Sequence, residues 1–183
     1  MKSTTDVKSK ILSKETILKS RYFQIDKVVI ARNNKTFTKE IIRKTPAVII
    51  LPINDLDEIY LVSQFRDSMQ EVLLETVAGH IEEGNTPLEG AKKELQEETG
   101  LTAKTWKKIG TFYVSANVDA VIHIFYATDL TEGKQNQDFD EDIEVVKIPF
   151  LDALRKIENG EICVSPNAAA LLLLDKLKRE GKL

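Results

Sequence analysis

The stretch from Gly79 to Leu101, GHIEEGNTPLEGAKKELQEETGL, constrains the fold most, because its local signals specify both ends of one helix. Thr86 suits the N-cap, Pro87 the first helical position, and Glu89, three residues after the cap, completes a capping box. Gly100 suits the left-handed conformation that stops a helix. Leu88, Ala91 and Leu95 offer an apolar stripe for packing. Glu94, Glu97 and Glu98, three and four apart, crowd one turn. Like charges at that spacing repel. A hard divalent cation would neutralise them, and a solvated acidic face balanced by Lys92 and Lys93 accounts for the same residues.

At 183 residues, 42% of them hydrophobic and 30% charged, the chain has the size and composition of one soluble globular domain with a small N-terminal appendage. The net charge of −3 argues against a non-specific nucleic-acid binder. The one cysteine, Cys163, makes no internal disulfide, fits a reducing compartment and reads as a packing residue. The N-terminal residues lack the apolar run of a signal peptide, and Ala168 to Leu174 is too short to span a bilayer. A cytoplasmic protein with no membrane contact is the expectation.

The first ten residues read as frayed. Tyr22 to Ala31 reads as a strand with Phe23, Ile25, Val28 and Ile30 as its apolar residues, its alternation slipping near Lys27 as at a bulge. Asn33–Asn34 turns it back into Thr36 to Arg43. This arm is too small to fold alone and must pack on the rest of the chain or on a second copy. Ala47 to Ile53 is a nearly continuous apolar run, the pattern of a buried strand, and a turn at Asn54–Asp57 leads into Glu58 to Phe65 as a hairpin. Glu71 to Ala78 is extended and enters the loop before the helix. Trp106 to Val114 and Val121 to Leu130 are strands, with Ser115 to Ala120 between them as a site loop. Thr131 to Asp142 is a solvated acidic loop, and Ile143 to Ile148 is the last strand. Two helices close the chain: Leu151 to Glu158 with the stripe Leu151, Leu154 and Ile157, and a second capped by Ser165 and running to about Lys178. The fold class is α+β, an α/β/α sandwich with a mixed sheet and an N-terminal β-hairpin arm, divided as residues 1–45 and 46–183.

Gly79, Glu94, Leu95, Glu97, Glu98, Gly100 and Leu101 fall at their positions in the Nudix box, and the chain resembles the Nudix hydrolases. Asn85 stands where the box has its first glutamate, and Lys93 where it has arginine. The flanking Gln64-Phe65-Arg66, Glu75-Thr76-Val77-Ala78-Gly79 and late acidic loop resemble the ADP-ribose pyrophosphatase branch. That resemblance implies Mg²⁺- or Mn²⁺-dependent hydrolysis of ADP-ribose to AMP and ribose 5-phosphate. It implies Glu94, Glu98 and the backbone oxygen of Ala78 as metal ligands, Glu97 as a further ligand or water-positioner, and Glu141 as a ligand from the late loop. The branch's general base falls at Phe139, so Asp138 or Asp140 beside it is the candidate replacement. Lys93 is expected to pair with a loop glutamate. For the substrate, the resemblance implies Arg66 as a phosphate or ribose contact and Glu75 as a hydroxyl acceptor or metal-shell member. Tyr22 or Phe23 would stack on the base from an arm exchanged within a homodimer. Where the branch has a proline-glycine pair and an acidic residue, this chain has Ala116-Asn117 and Ala120. Two alternatives remain at this level: a pyrophosphatase for another sugar nucleotide or dinucleotide, and a nucleotide-binding or interaction protein whose turnover is weakened at Asn85, Ala120 and Phe139.

Overall fold

The computed structural model describes residues 9–115, 118–136 and 142–183. In chain order the elements are β1 (Ser9–Lys19), β2 (Phe23–Arg32), β3 (Lys35–Lys44), β4 (Ala47–Pro52), β5 (Glu58–Arg66), β6 (Glu71–His80), α1 (Pro87–Thr99), β7 (Thr102–Ser115), β8 (Val118–Thr131), β9 (Ile143–Pro149), α2 (Phe150–Glu158) and α3 (Ser165–Arg179). The chain divides into two compact units, Met1–Thr45 with Tyr113–Val121, and Pro46–Phe112 with Ile122–Leu183.

In the first unit β1, β2 and β3 form an antiparallel meander, and β3 runs parallel to the start of β8 through Ile42–Val118 and Arg43–Asp119. Asn33 and Asn34 both have positive φ, 51° and 60°, so the expected turn is the two-residue type whose twist matches a hairpin. β1 adds a strand to the arm over residues the sequence left mostly unassigned; of the ten residues read as frayed, Ser9 and Lys10 begin it and the rest lie outside the described residues. The slip near Lys27 is not a bulge, because β2 and β3 pair without interruption; register shifts occur instead between β1 and β2. The alternation breaks because Asp26 shares the buried face of β2 with Val28.

The second unit is the sandwich. Its mixed sheet has the order β8–β4–β6–β5–β9, with β4 parallel to β8 and the other neighbours antiparallel; β7 pairs with β8. The apolar run in β4 reflects burial on both faces: Ile49 and Leu51 point into one cluster, Val48 and Ile50 into the other. The first cluster packs under α2 and α3 through Ala153, Ala170, Leu171 and Leu174. The second packs under α1 through Ala91 and Leu95.

Four local expectations change. β4 and β5 share only the bridge Ile53–Ile59, because β6 lies between them. On α2, Leu154 and Ile157 of the expected stripe pack against the first cluster, but Leu151 is exposed and the buried residues are Phe150 and Ala153. The N-cap of α3 is Val164, without a side-chain cap, and Ser165 is already helical. Cys163 is exposed and contributes nothing to the core.

Candidate active site

The site grows from the junction of β6, its following loop and α1. The capping box forms as the sequence requires: the Glu89 amide donates to Thr86 Oγ1 at 3.3 Å, and the Thr86 amide donates to Glu89 Oε2 at 2.7 Å. Gly100 closes the helix at φ 72°. With both ends fixed and Ala91 and Leu95 buried, α1 presents its carboxylates to the last residues of β6. Glu98 is 5% exposed, and its Oε2 accepts the Ala78 N–H at 3.1 Å. The Glu94 carboxylate lies over Gly79 so closely that any β-carbon there would overlap it. Glycine at 79 is therefore a condition for Glu94 to occupy this place.

Glu97 is half-buried, with Lys93 Nζ at 3.8 Å. Lys93 itself pairs with Glu82, and that hydrogen bond, with Glu97 and Glu94 adding to it, raises the Lys93 pKa above its ordinary value. Asn85 joins the same group: its amide N–H donates to the Glu82 carbonyl at 3.1 Å and its Nδ2 to Glu82 Oε2 at 3.4 Å. The expected pairing of Lys93 with a loop glutamate is thus made by Glu82. That carboxylate lies three residues before Asn85.

Arg66 ends β5 and donates through Nε to Glu75 Oε2 at 2.6 Å. Glu75 is 6% exposed, and its other oxygen faces Asn167 Nδ2 at 3.4 Å. Asn167 Oδ1 accepts from the Thr76 hydroxyl at 2.9 Å. The reading of single motifs passed over Asn167, yet a signal was present. It occupies the stripe Asn167, Ala170, Leu171 and Leu174, a polar residue at a core position of α3.

Tyr22 and Phe23 belong to the first unit, where both are partly exposed beside a concavity also lined by Arg21, Arg43 and Lys44. Asp138, Phe139, Asp140 and Glu141, like Ala116 and Asn117, lie outside the described residues. The stretch before them is anchored on α1: the Asn136 amide donates to the Glu97 carbonyl at 3.2 Å, and Gln135 Nε2 donates to the Glu98 carbonyl. The expected loop Ser115 to Ala120 is mostly strand, since Ser115 ends β7 and Val118 begins β8.

Among the described residues, no three His, Cys, Asp or Glu side chains converge as a ready metal cage. The donor chemistry nevertheless suits a hard cation. Glu94 and Glu98 bring carboxylate oxygens to the Ala78–Gly79 step, into room that a β-carbon would fill.

The sequence pattern of the NUDIX domain matches residues 43–167. The chain belongs to the Nudix family. Its similarity to an ADP-ribose pyrophosphatase of Bacillus subtilis (strain 168) is 36% identity over 174 residues, covering 90% of this chain and 94% of the relative. To a GDP-mannose pyrophosphatase of Cronobacter sakazakii it is 28% over 186 residues, covering 93% and 95%. A crystal structure described as an ADP compounds hydrolase superposes with a TM-score of 0.83 at 27% identity, covering 96% of this chain and 97% of the other. This Nudix chain is accordingly a hydrolase, with its box helix α1 seated as described.

Proposed function

We propose that this Nudix hydrolase cleaves the diphosphate bond of a nucleoside diphosphosugar, with ADP-ribose as substrate and AMP and ribose 5-phosphate as products. The observation that carries the reading is the pair Glu94 and Glu98 held against the Ala78–Gly79 step. The higher identity to the Bacillus subtilis ADP-ribose pyrophosphatase, 36% against 28% for the GDP-mannose pyrophosphatase, supports ADP-ribose as the first substrate.

Glu94, Glu98 and the Ala78 carbonyl would hold Mg²⁺ or Mn²⁺. Such an ion, when bound, neutralises phosphoryl oxygens and acidifies a neighbouring water. Glu97, steadied by Lys93, orients the attacking water. A carboxylate of residues 138–141, Asp138 or Asp140 in the place of the branch's base, takes the water's proton as its oxygen bonds to phosphorus and the bridging P–O bond breaks to release the other phosphate, and Glu141 would add a ligand oxygen to the ion. Arg66, with Nε committed to Glu75, turns its terminal nitrogens to a phosphate. Glu75, already bound to Arg66 and Asn167, would accept a substrate hydroxyl or join the metal shell.

Residues 1–45 act as a dimerising arm, and Tyr22 or Phe23 of a second copy stacks on the base. The exposure of Ile11, Leu12, Ile17 and Leu18 on β1 supports an apolar contact between copies. A panel of ADP-ribose, GDP-mannose and dinucleotides with Mg²⁺ or Mn²⁺ tests the reading by nucleoside monophosphate release. AMP from ADP-ribose is the expected dominant product. Release only from GDP-mannose would overturn the substrate choice, and no metal-dependent release would overturn the activity. A sedimentation mass of one chain at micromolar concentration would overturn the dimer.

A further inference from the structure

We infer that Asn167 is a positioning residue for anion binding, acting on Arg66 through Glu75. The place where this happens is a change of partner within β6. Residues Val77 to His80 pair with β4, whereas Glu71 to Thr76 pair with β5. Glu75 and Thr76 therefore sit at the seam between two ladders. Adjacent residues of a strand face opposite sides of its sheet, yet the first turn of α3 reaches both here through one side chain.

The directions of the hydrogen bonds are forced. An ionised Glu75 only accepts, so the Asn167 group facing it is the NH₂. Asn167 Oδ1 is then left facing Thr76, whose hydroxyl must donate to it, at 2.9 Å. The opposite amide orientation would set oxygen against carboxylate at 3.4 Å and NH₂ against the hydroxyl. Thr76 is 1% exposed, Asn167 3% and Glu75 6%, so water has little access to replace any member of this chain. At its outer end stands Arg66, whose side chain is 39% exposed and whose contact with Glu75 runs through Nε. The relay from Thr76 through Asn167 to Glu75 thus stiffens one edge of the guanidinium and leaves the other toward solvent. An arginine so held meets a diphosphate oxygen with its rotamer already chosen, which lowers the entropy lost on binding. The ligand class is a diphosphate-linked nucleotide, and the role rests on the reading of Arg66 as its contact.

The test separates binding from turnover. Binding of ADP-ribose and of inorganic pyrophosphate to the full chain is measured calorimetrically in EDTA, and kcat and KM for ADP-ribose are measured separately with Mg²⁺. Asn167→Asp and Asn167→Leu should each bind about tenfold more weakly, the loss of the charge-assisted contact to Glu75, and Thr76→Val about threefold more weakly, the loss of one neutral hydrogen bond. KM should rise correspondingly, kcat should stay within about twofold, and Thr76→Ser should restore binding. In an Arg66→Ala background Asn167→Leu should have no further effect on binding. Unchanged binding in the folded variants, additive effects with Arg66→Ala, or parallel loss of kcat and thermal stability without the KM rise would each overturn the inference. Absence of wild-type turnover would sink the proposed function alone, since metal-free binding still reads the Asn167 relay; absence of wild-type binding to both probes would overturn the relay's role.

Discussion

Asp26 and Glu98 are both withdrawn from solvent, one on a strand of the N-terminal unit and one on the box helix, and they are held in opposite ways. Asp26 is fully buried and accepts from Thr16 Oγ1 at 2.7 Å, Gln24 Nε2 at 3.0 Å and Arg43 Nε at 2.8 Å, with Lys14 Nζ at 3.0 Å. Arg43 continues to Asp119. Burial alone would push the Asp26 carboxyl up; the donors of Thr16, Lys14, Arg43 and Gln24 outweigh it and hold the pKa well below the carboxylate range. Glu98 instead takes a backbone N–H and stands one turn from Glu94, next to Glu97. A carboxylate answered by two cations in place ties strands together. The carboxylates gathered on one turn of α1 are, on the function proposed above, the group that would take a divalent cation.

Substitutions can break this contrast. The largest effect is expected for Glu98→Gln, which keeps an acceptor for the Ala78 amide and removes the charge. Metal-dependent turnover should fall by more than about 10²-fold, beyond the usual cost of losing an outer partner of a metal ligand. The thermal midpoint should change little; a loss of fold in place of activity would make Glu98 a structural residue like Asp26.

Gly79→Ala comes next. Its β-carbon would evict the Glu94 carboxylate, the flexible end of a half-buried side chain, so the fold should survive. The Mg²⁺ concentration for half-maximal activity should rise by roughly tenfold or more, the range seen when metal sites lose a supporting contact. An unchanged Mg²⁺ titration would remove Glu94 from the site.

For the Asp26 side of the contrast the readout is stability against pH. The folded pKa lies below the unfolded one, so the unfolded chain binds more protons as acid is added. The stabilisation is complete above the ordinary carboxylate pKa and is lost as pH falls toward the depressed folded value. Asp26→Asn should lower the thermal midpoint at pH 7 and flatten its decline below about pH 4. A variant with wild-type acid dependence would show that Asp26 is no strut.

Glu82→Gln should have the smallest effect. The Glu82–Lys93 pair is exposed and worth about 0–1 kcal/mol to the fold, so stability should barely move. If Glu82 does the work absent at Asn85, adding Asn85→Glu should recover any activity that Glu82→Gln loses. Failure of that recovery would leave the Glu82 pair as a surface contact.

What was legible in the chain was local. Thr86, Glu89 and Gly100 act within one helical turn of their partners, and Asn33–Asn34 acts on the strands it joins, so adjacent residues carry the whole signal. β1 went unread for the converse reason: it is exposed along its length, and a strand with no buried face carries no alternation. The β4–β5 hairpin was the natural choice of neighbours, but β6 inserts between them, a pairing that loop composition does not encode.

The sequence by itself determined a capped helix with three carboxylates on one turn and a strand buried on both faces, because periodicity and capping are short-range. Only the tertiary structure decided that Glu82 meets Lys93, that Asp26 is buried on β2 beside Val28, and that Asn167 reaches Glu75 from 92 residues away. Those partners are joined by the folding of strands and helices onto one another, and a side chain carries no mark of which distant group will complete its hydrogen bonds.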